Sequence, residues 1–165
     1  MNIFQTHLDP KLAALDHCLV HRVSQLKEGV QMLSTAHHAL DGDAAISGIY
    51  KSCQPTNRFS KWVQESDANY QWLHALCTEL NVLHKERTGQ DHASALLLPT
   101  LSTLPVNIPK GELSPVPIAE SSDVVQTIYG LNTVLGHREY LCEKFTSWIE
   151  AGKSPRFKVR PAWLC

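Results

Sequence analysis

The chain has 165 residues, 43% hydrophobic and 19% charged, which suits one domain, residues 1–165, with a real core and is too apolar for a disordered tail. A formal net charge of −1 excludes a globally basic nucleic-acid binder and leaves only local basic surface. Five scattered cysteines, Cys18, Cys53, Cys77, Cys142 and Cys165, with no Cys-x-x-Cys pair, argue against a disulfide framework and a structural zinc motif.

The opening "MNIFQTHLDP" has no basic stretch followed by a long apolar run, so no secretory signal is expected and the location is expected to be cytoplasmic. No apolar stretch is long enough to span a bilayer. Residues 1–9 read as a short extended segment or strand. Asp9-Pro10 is a helix start, since Asp caps and Pro suits the first turn. From there to about Leu40 the pattern is helical, with Leu19, Val23, Leu26, Val30 and Leu33 at three- and four-residue steps. "DGD" at 41–43 ends it. A polar loop holding Lys51 and Cys53 leads to a second long helix, about Arg58 to Arg87, with Trp62, Tyr70, Leu73, Leu76, Leu80 and Leu83 on its apolar face and Gly89 as its stop. "QDHASALLLPTL" suits one short helix. Residues 99–117 hold five prolines and form a long irregular connection, a kind of loop that often carries function. "ESSDVVQTIYGLNTVLG" and "REYLCEKFTSWIEAG" read as two further helices, and 153–165 is a basic tail. The expectation is a mainly α fold, a single-domain bundle of about five helices with a long proline-rich loop.

The first long helix carries a polar stripe: His17, His21, Ser24, Glu28, Gln31, Thr35 and His38 fall within an arc of roughly 100°. A merely solvated face takes Lys, Arg and Glu; here Glu28 is the one formally charged member. Glu28 beside Gln31 and Thr35 suits orienting a substrate or moving a proton, and an ordinary polar helix face remains the alternative. His17, Cys18 and His21 invite a metal, but no third ligand with recognisable spacing follows, so no metal is expected. Cys18 as a nucleophile assisted by His17 or His21 is weighed against a half-buried structural thiol. Trp62 and Trp72 share a row with Asn69; the two rings read as core, while a buried amide in that row needs partners. Arg87 and His92, either side of Gly89, are candidates for an anion, against cations that merely favour a helix C-terminus. Lys153, Arg156, Lys158 and Arg160, interleaved with Phe157 and Trp163, are candidates for DNA-backbone contact, together with Lys51. There is no Gly-rich phosphate loop, no Gly-x-Ser-x-Gly and no His-Glu-x-x-His, which argues against the commonest enzyme classes.

Several of these pieces together resemble a family of small phage-encoded proteins. "MNIF", Asp9-Pro10, Ala13-Ala14, "HCLVH" and "EGVQMLSTAH" match its N-terminal pattern. "WVQESDANYQWL" matches its Trp-Val-x-Glu-Ser…Asn-Tyr-x-Trp-Leu block, "RTGQDHAS" its Arg-x-Gly…His-x-Ser block, and "RPAWL" its terminal Pro-x-Trp. The resemblance covers most of the chain except the proline-rich stretch. Between Cys18 and His21 the chain has Leu19-Val20 where the family carries acidic and basic residues, so a catalytic role does not carry over to that short segment directly.

Members of the family are loosely labelled pyrimidine-dimer glycosylases, and similar proteins of phages with hypermodified thymidine are amino acid:DNA transferases. The resemblance therefore implies transfer of an amino acid, typically glycine, onto phosphorylated 5-hydroxymethyluracil in double-stranded DNA, with displacement of phosphate. It implies no cofactor; its partners are DNA and free glycine. On that reading Glu28, Gln31, His21 and Cys18 are the catalytic candidates. Arg58, Asn69, Arg87, His92 and Thr35 hold substrate or phosphate, and Trp62 and Trp72 stack a flipped base. A glycosylase/lyase is the alternative, with an internal amine such as Lys51 or Lys61 as nucleophile, because Met1 before bulky Asn2 is expected to be retained. A non-enzymatic DNA- or host-factor-binding protein is the third reading.

Overall fold

The computed structural model describes residues 1–165. It is all-helical: α1 (Pro10–Asp16), α2 (Leu19–Asp41), α3 (Arg58–Glu65), α4 (Asp67–Thr88), α5 (Leu98–Leu101), α6 (Asp123–Leu131) and α7 (Thr133–Glu150), with short 3-10 turns at Gly42–Ala44 and Ala93–Leu97. No helix is long and apolar enough to cross a membrane.

The mainly α expectation holds, but both long helices divide. The first breaks at His17 and Cys18, which are both extended. The break is held from outside. The backbone N–H of Leu19, left without an intrahelical acceptor at the start of α2, donates to the Arg156 carbonyl at 2.8 Å, so the tail satisfies it. The second breaks at Ser66, whose hydroxyl caps α4 by accepting from the Asn69 N–H. The last two helices meet at Asn132, which caps α7, a few residues earlier than the pattern suggested. Asp9 caps α1 with Pro10 in its first turn, and Gly89 ends α4 at φ 78°, both as expected.

Helix α2 is central and packs on α3 and α4. Where α2 crosses α4 the backbones come so close that a Cβ on Gly29 would overlap the Cys77 sulfur. The main core gathers Leu26, Val30 and Leu33 with Trp62, Leu73, Leu76 and Leu80. A smaller cluster of Phe4, Cys18, Leu141 and Phe145 lies under α7 and takes Phe157, Trp163 and Leu164 of the tail. Residues 1–9 form no strand, against the extended reading, and bend over residues 6–9 before α1 begins. They act as a wedge: Ile3 enters the main core and Phe4 the smaller cluster.

The proline-rich connection lies across α3 and α4, and its backbone groups are satisfied by helix side chains. Trp62 donates to the Ser114 carbonyl. The Asn69 amide donates to the Trp62 carbonyl and the Ser114 hydroxyl and accepts the Ser114 N–H. Asp41 accepts the N–H groups of Val106 and Asn107.

Candidate functional site

A basic groove opens where the start of α2, the end of α4 and the tail meet. One part, about 250 Å³, is lined by Leu19, Arg22, Leu83, Glu86, Arg87 and Lys158. A second, about 350 Å³, shares Leu19 and Arg87 and adds Val20, Val23, Ser154 and Arg156. Four cations thus face one carboxylate over an apolar floor. The first two turns of α2 present Arg22 and Val23 to it; the last turns of α4 present Leu83, Glu86 and Arg87. The tail is brought there by the Leu19–Arg156 backbone bond and by Trp163, whose indole N–H donates to Asp16 Oδ2 at 2.9 Å.

Arg22 is 4% exposed. Its Nε donates to the His17 carbonyl at 3.0 Å and Nη2 to the Leu15 carbonyl at 3.2 Å, so it closes the C-terminal end of α1, where the helix dipole favours a cation. Carbonyls orient the guanidinium but do not neutralise it, and burial lowers an arginine pKa without discharging it. The groove's one carboxylate, Glu86, is taken by Lys158 at 2.6 Å, which also holds its carboxyl below the usual range. A buried cation without a carboxylate partner is costly, and an anion in the groove would supply one.

Next to the groove, "HCLVH" is packed, not open. The His21 ring lies among Phe4, Phe145 and Trp148, with ring centroids 4.9, 5.4 and 5.3 Å away. Neither of its nitrogens has a partner, and burial pushes its pKa down to about 3. The His17 Nδ1 is 2.7 Å from the Ala13 carbonyl, and burial takes its pKa down to about 4. Both rings are neutral at physiological pH. Burial pushes the Cys18 thiol up, the opposite of an activated nucleophile. No three His, Cys, Asp or Glu side chains converge as a metal site.

The other sequence candidates scatter. Glu28 accepts the Asn2 backbone N–H at 2.9 Å and anchors the N-terminal segment. Gln31 is half-buried on the same helix. The Thr35 hydroxyl exchanges hydrogen bonds with the Cys53 backbone, which fastens the 50s loop. Asn69 is fully buried and spends its amide on Trp62 and Ser114, so it is a structural clasp with nothing left for a substrate. Trp62 and Trp72 are 1% and 6% exposed, edge to face with each other. The base-stacking expectation is corrected for both, because the core reading is the one that leaves a ring no free face. Arg58 donates to the Ile118 carbonyl. The His92 ring accepts the Ser94 N–H and meets His84 at 5.2 Å, so it does not join Arg87 in the groove. Lys51 is exposed on the 50s loop, and Lys153 and Arg160 lie on the tail outside the groove's lining. Arg87, Arg156 and Lys158 are brought together. Sequence reasoning missed Arg22 and Glu86, neither of which stands out in the local pattern.

No family model, no curated protein and no solved structure matches the chain.

Proposed function

We propose that the chain binds the phosphate groups of DNA in this groove and acts as the resemblance implies. It would transfer an amino acid, glycine first, onto phosphorylated 5-hydroxymethyluracil. The observation that carries the proposal is the buried Arg22 guanidinium, held by carbonyls alone in a groove part shared with Arg87 and Lys158, with Arg156 in the adjoining part. In the reaction the amine nitrogen forms a bond to the exocyclic methylene carbon at C5. The carbon–oxygen bond to phosphate breaks, phosphate leaves with the electron pair, and the amine gives up a proton. Preorganised cations stabilise charge that develops on a departing phosphate, and guanidinium forks match its oxygens. The apolar floor of Leu19, Val20 and Val23 suits the face of a pyrimidine, the role the resemblance had given to Trp62 and Trp72.

The test is incubation with DNA containing phosphorylated 5-hydroxymethyluracil and glycine, followed by nucleoside mass spectrometry. The expected result is a glycine adduct that Arg22→Ala and Arg87→Ala abolish. A borohydride-trapped protein–DNA adduct on damaged duplex, without glycine transfer, would move the assignment to a glycosylase/lyase. DNA binding with neither product would leave a non-enzymatic DNA-binding protein.

A further inference from the structure

Where the tail meets α7 there is an arrangement that the groove does not use. The backbone N–H of Cys165 donates to the Cys142 sulfur at 3.4 Å. Arg160 donates to the Cys165 backbone oxygen, and the Leu164 N–H donates to the Pro161 carbonyl, so this part of the tail is held against the helix. Both cysteines line one cavity of about 140 Å³, with Phe145, Phe157 and Leu164 as its apolar wall. Both carry free thiols, Cys142 buried and Cys165 exposed. Burial pushes the Cys142 thiol up to about 11, and the Cys165 thiol beside it pushes the same way. The other cysteines lie elsewhere: Cys18 and Cys77 are buried in the two apolar clusters, and Cys53 is on the 50s loop. A disulfide needs its two Cα atoms within about 7 Å. With one sulfur already on the other residue's main chain, turning the Cys165 side chain between staggered positions brings the two sulfurs together.

We propose that Cys142 and Cys165 are a redox pair that a peroxide converts to a disulfide, clamping the tail onto α7. Hydrogen peroxide is small enough for the cavity and meets the exposed Cys165 first. The Cys165 sulfur attacks one peroxide oxygen, the oxygen–oxygen bond breaks, water leaves, and a sulfenic acid remains. The Cys142 sulfur then attacks the Cys165 sulfur. The sulfur–oxygen bond breaks, and hydroxide departs with the electron pair and takes the Cys142 proton to become water. Two thiols and one peroxide thus give one disulfide and two waters; sulfur is oxidised and the peroxide reduced. Burial suits Cys142 to the second step, because its thiol stays protonated and shielded from oxidant in bulk solvent yet is in place when the sulfenic acid forms beside it. One reversible bond of this kind differs from the disulfide framework that the cysteine spacing argued against. The ring it closes runs from 142 to 165 and contains Arg156 and Lys158, which line the groove. Otherwise the tail is fastened by hydrogen bonds, one ion pair and ring packing. A cross-link removes freedom that an undocked tail would gain, so oxidation holds the third wall of the groove in place. The bond itself is independent of function; its effect on phosphate binding rests on the groove reading.

The test treats the reduced whole chain with equimolar hydrogen peroxide, alkylates the remaining thiols and maps peptides by mass spectrometry without reduction. The expected product is a linked peptide pair carrying Cys142 and Cys165, lost on adding dithiothreitol and absent in Cys165→Ser. Because Cys165 is exposed, that variant is expected to keep the circular dichroism and Tm of the reduced wild-type chain. Limited trypsin digestion, read after reduction, is expected to cut at Lys153, Arg156 and Lys158 at least tenfold more slowly in the oxidised chain than in the reduced one. Peroxide is expected to leave those rates unchanged in Cys165→Ser. Sulfinic acid at Cys165 with Cys142 still free, or a bond from Cys165 to Cys53 or to a second chain, would overturn the pair. Equal cutting of the oxidised and reduced chains would overturn the clamp. The groove reading fails separately: a clamp that forms and protects the tail of a chain that does not bind DNA leaves the redox pair standing and removes its effect on phosphate.

Discussion

Removing the one carboxylate from the groove should strengthen DNA binding and make it more sensitive to salt. Arg22, Arg87 and Arg156 have no carboxylate partner, whereas Lys158 is 2.6 Å from Glu86. Each phosphate neutralised by a free cation contributes about −0.9 to the slope of log affinity against log salt on duplex DNA. Three free cations give a slope of about −2.7, hence a loss of about 40-fold on raising salt from roughly 50 to 200 mM. Glu86→Gln frees Lys158 as a fourth contact, which steepens the slope to about −3.6 and the loss to about 150-fold. Arg87→Ala moves it the other way, to about −1.8. Fluorescence anisotropy of a labelled short duplex across a salt series reads all three slopes. A wild-type slope near zero, or a slope that Glu86→Gln leaves unchanged, would refute the assignment of the groove to phosphate.

Two further outcomes concern stability. Burial lowers His17, His21 and His137 to about 4, 3 and 4 from an ordinary value of 6.5. Below about pH 6.5 the unfolded chain takes up protons that the folded chain refuses, so stability is complete above that pH and drains as pH falls toward the folded values. At about pH 5 each histidine accounts for a loss on the order of 2 kcal/mol, so the urea midpoint should fall sharply between pH 7 and 5; an unchanged midpoint refutes this. Gly29→Ala should lower Tm even though alanine is the better helix former by about 1 kcal/mol, because the added methyl overlaps the Cys77 sulfur and such overpacking costs about 1–3 kcal/mol. Adding Cys77→Ala should restore part of the loss, and a double mutant no more stable than Gly29→Ala would count against the contact.

What the sequence disclosed follows from how local each cause is. Asp9-Pro10 and Gly89 act on their own neighbours, and both ends were legible. The division at Ser66 was also locally encoded, by a serine three residues before Asn69, but the apolar spacing ran through it and masked the cap. The division at His17 and Cys18 was not legible, because there is no Gly or Pro there and the Leu19 N–H is answered by Arg156 at the far end of the sequence. The site follows the same rule. Arg87, Arg156 and Lys158 stood out as charges, yet nothing in their spacing says they share a groove. Arg22 looked like an ordinary helix residue, because the carbonyls that hold it come from the break before α2 that the pattern did not show. Trp62, Asn69 and Trp72 misled for a different reason: aromatic and amide side chains at helical spacing look alike whether they line a site or brace a core.

The three walls of the groove come from residues 19–23, 83–87 and 154–158, and the last of these is synthesised after everything it leans on. The helices of the core are complete on the ribosome while the groove still has only two walls and Leu19 still has no acceptor. Closing so long a loop is slow compared with forming the helices. During synthesis the chain can therefore bury its core before it gains the concentrated positive surface that would draw nascent protein onto cellular polyanions. The groove's positive surface would then arrive late and in one step, when the tail docks.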